Sequence, residues 1–136
     1  MNAIVDTGFL VALMEERDFH HAWASEVAEQ IDWPAFTCES VLSETAFHVG
    51  SSQEPLRFVS DGLLRIPFDL RNELDHLCEL AARYADRHPD LADLCLIRMS
   101  ELYPKHTVIT VDEADFRVYR RNKREAIPLL CPPGKK

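Results

Sequence analysis

Two stretches at opposite ends of the chain finish alike. Ile4-Val5-Asp6-Thr7 opens the sequence, and Ile109-Thr110-Val111-Asp112 comes near its end. Each is a short run rich in β-branched residues, closed by an aspartate. Such residues favour the pleated backbone of a strand, and an unbroken apolar run suits a strand covered on both faces. Two parallel neighbours of this kind bring both carboxylates to the carboxyl edge of one sheet, where open α/β sheets build their sites. Parallel strands also need long crossovers, so helices must separate them.

The sequence between them meets that requirement. Gly8 separates Thr7 from a helical run containing Phe9, Leu10, Leu13 and Met14. A second helix is expected from Phe19 to Ile31, with Phe19, Trp23, Val27 and Ile31 on one stripe, stopped ahead of Pro34. Ala35 to Cys38 suits a short strand. Glu39 to Val49 suits a helix packed through Leu42, Ala46 and Val49. Glu44 then sits about 200° round the axis from Leu42, near the polar edge. A short helix from Pro55 leads to an edge strand within Leu63–Leu70, confined to the edge by Pro67. An amphipathic helix from Asn72 to Tyr84 carries Leu74, Leu77, Cys78, Ala81 and Ala82 on its apolar face. Asp90 and Asp93 open a more buried helix that Tyr103-Pro104 closes. After Asp112 come a helical turn from Glu113 to Phe116, a basic loop, a last strand at Ile127–Leu130 and a frayed tail over 132–136. The expectation is one α/β domain over residues 1–131, with about five mainly parallel strands sandwiched between helices.

The acids deserve separate treatment. Besides Asp6 and Asp112, Asp93 stands at a helix start, where the helix dipole favours negative charge, and Glu44 comes from another helix. Taken singly, each has a plainer role as a cap, a turn former or a solvated side chain. Together they are costly: two carboxylates about 5 Å apart repel by about 3 kcal/mol at an effective dielectric near 20. Oxygen donors with no thiolate or imidazole beside them suit Mg²⁺ or Mn²⁺. Such a set supports metal-assisted phosphodiester hydrolysis. The Thr7 and Thr110 hydroxyls can hydrogen-bond the metal-binding carboxylates.

Composition narrows the alternatives. A net charge of −8 argues against a nucleic-acid coat protein, which is basic, but fits an acidic metal site. The positive charge is uneven: Arg117, Arg120, Arg121, Lys123, Arg124, Lys135 and Lys136 all fall at the C-terminal end. The four cysteines form no CxxC pair, which argues against zinc; Cys78 and Cys95 suit core positions. The histidines are scattered and suit solvated surface. No apolar run approaches the roughly 18 residues of a membrane span, and no basic residue precedes the first apolar run. A cytoplasmic protein without a signal peptide is the expectation.

The segments IVDTGFLVAL, SVLSETAF, DLADLCLIRMSE and VITVDEADF, in that order, resemble the PIN-domain ribonucleases, and most closely the VapC-like toxins of toxin–antitoxin modules. The resemblance implies a PIN-like three-layer α/β/α sandwich. It implies Asp6, Glu44, Asp93 and Asp112 as the acidic, metal-binding set, with Asp115 as an alternative or supporting acid and Thr7 as the hydroxyl after the first Asp. It further implies Mg²⁺- or Mn²⁺-dependent cleavage of RNA, a homodimer and a small antitoxin partner. Leu94 stands where many relatives have a small residue, which is expected to narrow the cleft. Arg117, Arg120 and Arg121 are the candidates for RNA backbone contacts. The other reading is a PIN-fold interaction module without catalysis. A haloacid-dehalogenase-like phosphatase needs a second Asp two residues after the first, and Gly8 stands there.

Overall fold

Five short strands form a wholly parallel sheet in the computed structural model, which describes residues 1–134. In chain order the strands are β1 (Ala3–Val5), β2 (Ala35–Phe36), β3 (Leu64–Arg65), β4 (Thr107–Ile109), β5 (Arg120–Arg121), β6 (Glu125–Ala126) and β7 (Leu129–Leu130). The sheet runs β3-β2-β1-β4-β7, while β5 and β6 form a separate antiparallel hairpin. The helices are α1 (Thr7–Met14), α2 (His21–Ala28), α3 (Glu39–Val49), α4 (Gln53–Ser60), α5 (Leu74–Arg83), α6 (Leu91–Leu102) and α7 (Glu113–Val118). They flank the sheet in the three-layer α/β/α arrangement that the alternating pattern predicts. Among the described residues no helix is long and apolar enough to cross a membrane.

The strand order decides where a site can form. From β1 the chain steps outward through β2 to β3, then returns to β4 on the other side of β1. The strand order therefore reverses between β1 and β4, and the crevice beyond their carboxyl ends is the usual place for a ligand. Val5 pairs with Ile109, and the Asp6 amide donates to the Ile109 carbonyl at 3.0 Å. Ile4, Val5, Val108 and Ile109 are fully buried, which is why these strands read as uninterrupted apolar runs. Beyond β1, the Gly8 backbone lies against Val111: a Cβ there would stand 2.2 Å from the valine Cγ2.

Several elements differ from expectation. α2 is shorter than expected, and Phe19 is 83% exposed in the turn before it rather than on the packed stripe. α3 buries Val41 and Thr45, with Leu42, Ala46 and Val49 only half-covered. α5 buries Leu77 and Leu80; Leu74, Cys78, Ala81 and Ala82 are exposed, so Cys78 is not a core residue, whereas Cys95 is. One turn of 3₁₀ helix at Leu70–Glu73 precedes α5. Leu94 turns into the core and does not line the cleft described below. The basic loop contains the β5–β6 hairpin, with Asn122 and Lys123 at positive φ in its turn. Of the expected tail, Lys135 and Lys136 lie outside the described residues.

Candidate metal centre

The Asp6 carboxylate is fixed by two contacts. It caps α1, with Oδ1 accepting from the Thr7 amide at 2.7 Å, while Oδ2 accepts from the Thr110 hydroxyl at 2.7 Å. That hydroxyl also accepts from the Asp112 amide at 3.0 Å, so Thr110 ties the ends of β1 and β4 together. Thr7 performs the same service for α3: its hydroxyl donates to Glu44 Oε1 at 2.8 Å. Both threonine hydroxyls thus donate to carboxylates of the cleft.

Asp93 belongs to the first turn of α6. Asp90 caps that helix through its side chain, which accepts from the Asp93 amide at 2.8 Å. Asp93 Oδ2 accepts from the Tyr119 hydroxyl at 3.1 Å. Carboxylate oxygens of Asp93, Asp112 and Asp115 all lie within 4.8 Å of one another. Asp6, Glu44, Asp93 and Asp112 line one cleft of about 630 Å³, together with Thr7, Asp18, His20, Phe47, His48 and Asp90. Asp115 stands beside the cleft rather than in its lining, and accepts from Arg87 Nη2 at 2.8 Å.

The electrostatics follow from burial. Withdrawal from water pushes the Asp6 carboxyl up to about 6, against the lowering effect of its Thr110 and Thr7 hydrogen bonds. Asp93 is pushed up to about 8, first by burial and then by the charges of Asp90 and Asp6. Asp112 is raised by burial and by its close neighbour Asp115. These groups are acceptors only when ionised, and each is held in place by donors that favour the charged form. The donor set is all oxygen and the site is short of positive charge, so a hard divalent cation fits the residues present.

Of the three arginines expected to contact RNA, two are engaged inside the protein. Arg120 donates to the Arg117 and Tyr119 carbonyls, and Arg121 to the Ser100 and Pro104 carbonyls and to Glu125. Arg117 pairs with Glu113 on its own helix and is the most exposed of them. Sequence reasoning missed His20, Phe47 and His48 in the cleft wall, and Tyr119 on Asp93. Phe47 carried a usable signal: an apolar side chain on the polar side of α3, now 82% exposed. Tyr119 carried none, because its partner lies 26 residues away.

A search among curated proteins gives no significant match. A profile of the PIN domain matches residues 3–122, which is most of the chain and includes all five acids. The chain belongs to the PIN domain family, whose members are typically metal-dependent nucleases.

Proposed function

We propose that the protein is a Mg²⁺- or Mn²⁺-dependent endoribonuclease and acts as the toxin of a toxin–antitoxin pair. The observation that carries the reading is the meeting of Asp6, Glu44, Asp93 and Asp112 in one cleft at the β1–β4 reversal. These four would hold the cation, with Asp115 in support. When bound, the cation supplies charge neutralisation at the phosphoryl oxygens and makes the attacking water a stronger acid. The chain supplies the rest. Thr110 and the Thr7 amide fix both oxygens of Asp6. Tyr119 orients Asp93, and Thr7 orients Glu44 through Oε1. Glu44 therefore has a second oxygen to accept the proton of the attacking water.

The toxin assignment rests on the four-segment resemblance. Protein partners are supported by the α3–α4 surface, where Leu56 is 60% exposed at a small cavity lined also by Leu42, Ala46 and Pro55, and by Phe47, 82% exposed on the cleft wall. We assign this surface to a second copy of the chain or to a small antitoxin. The reading places the protein in the cytoplasm, where such pairs act.

End-labelled RNA should be cut by the purified chain with Mn²⁺ or Mg²⁺ and spared with EDTA. Asp6→Asn should lower cleavage at least about 100-fold, the scale seen when a group stabilising the transition state is lost. Cleavage that survives both treatments overturns the reading. Absence of Mn²⁺ binding by calorimetry, in a folded protein, would leave a non-catalytic interaction module.

A further inference from the structure

A cleft walled by carboxylates must still admit a polyanion. The cation at its floor serves the phosphate that reacts; the phosphates on either side need their own donors. The chain is acidic, with a net charge of −8, and several of its arginines are committed elsewhere. Arg98 is clamped between Glu73 and Glu101, Arg83 pairs with Glu79, and Arg121 is enclosed by Ser100, Pro104 and Glu125.

Arg87 is different. Among the ion pairs of the described residues, Arg87–Asp115 is the one in which a cation reaches the acidic group. Its Nη2 donates to Asp115 Oδ1 at 2.8 Å, and Asp115 lies within 4.8 Å of Asp93 and Asp112 through their carboxylate oxygens. Arg87 ends the 3₁₀ turn Ala85–Arg87, just before His88 at φ 49° and the Asp90 cap of α6. Its place is set by the same short loop that starts the Asp93 helix. The side chain is 37% exposed, and one N–H at the edge of the guanidinium is used by Asp115. A guanidinium has five donors in a planar fork, and a single carboxylate oxygen uses one of them.

We propose that Arg87 is a phosphate-binding residue at the margin of the cleft. Asp115 holds it beside the acidic cluster, and its remaining donors take a backbone phosphate adjacent to the scissile one. This deepens the endoribonuclease reading and rests on it. It gives Asp115, beside its support of the metal set, a second role as the anchor of Arg87.

The test is the salt dependence of RNA affinity. Each phosphate contact on a single strand contributes about 0.7 to the slope of log affinity against log salt. A fluorescein-labelled single-stranded RNA is titrated with Asp6→Asn protein in Mn²⁺, so that it is not consumed, and followed by anisotropy. Adding Arg87→Gln should weaken binding about tenfold or more and flatten the slope by about 0.7. Arg87→Lys should keep the slope, since it keeps the charge, but lose affinity severalfold with the planar fork. Arg83→Gln, on the surface of α5, should change neither. An unchanged slope in a folded Arg87→Gln protein overturns the proposal. So does a change confined to Mn²⁺ affinity by calorimetry, which would make Arg87 only a counter-ion of Asp115. If Arg87→Gln fails to fold, Arg87→Lys decides: undiminished affinity overturns the proposal. Failure of the unmodified chain to cut RNA, with the Arg87 effect on binding intact, overturns the nuclease reading and not the phosphate contact. No RNA binding by the reference protein overturns both.

Discussion

Gly8 shows how one residue sets the spacing of the site. Its backbone is in contact with Val111, and an added methyl would collide with the valine side chain at 2.2 Å. Overpacking of this kind costs about 1–3 kcal/mol. Gly8→Ala is expected to lose stability on that scale in urea unfolding, and Val111→Ala to restore most of it in the double variant. Independent effects that simply add would show that the two do not share the strain. Asp90 offers a second residue-scale test, because it both caps α6 and adds negative charge near Asp6 and Asp93. Asn caps as well as Asp. Asp90→Asn should therefore keep α6 intact by circular dichroism while lowering the Asp93 carboxyl from about 8, read as a downward shift in its carbon chemical shift titration. The acids and both threonines were legible in the sequence because chemistry needs those residue types after a strand or at a helix start. Arg87 and Tyr119 were not: nothing local marks a side chain whose importance is a partner 28 or 26 residues away.

At the scale of elements, the ends of strands were clearer than the faces of helices. β1 and β4 are buried on both sides, so their composition alone identified them. α5 was misjudged because several small or apolar residues fit more than one stripe. The actual stripe, Leu77 and Leu80, is the side that packs where α5 meets α6. The β5–β6 hairpin escaped notice because its turn places Asn122 and Lys123 at positive φ, where the recognisable signal is Asn-Gly. Arg121 fastens that hairpin to the C-terminal half of α6 through Ser100 and to the turn after it through Pro104. Arg121→Ala should cost about 1–3 kcal/mol of stability, the range for charged hydrogen bonds left unmade, measured by urea unfolding. It should leave the salt slope of RNA binding unchanged, in contrast to Arg87→Gln.

Across the whole molecule, the acidic cleft couples stability to protons and metal. Free aspartate titrates near 3.9 in the unfolded chain, whereas burial holds Asp6 near 6 and Asp93 near 8 in the folded one. Between those values the folded state binds more protons than the unfolded state, so stability falls as pH rises. The loss begins near pH 4, continues through about 6, and is complete above about 8. Thermal unfolding in EDTA should show Tm falling across that window, and Mn²⁺ should remove most of the fall by stabilising the ionised carboxylates. A Tm that rises with pH in EDTA would contradict the burial of these acids. The strand order carries one more consequence, for the ribosome. β1 is made first but sits between β2 and β4, and Asp6 gains its Thr110 contact only from a residue 104 positions later. A nascent chain cannot assemble the cleft until β4 and the turn after it have cleared the exit tunnel. Until then Asp6 lacks its Thr110 donor and the carboxylates share no cleft.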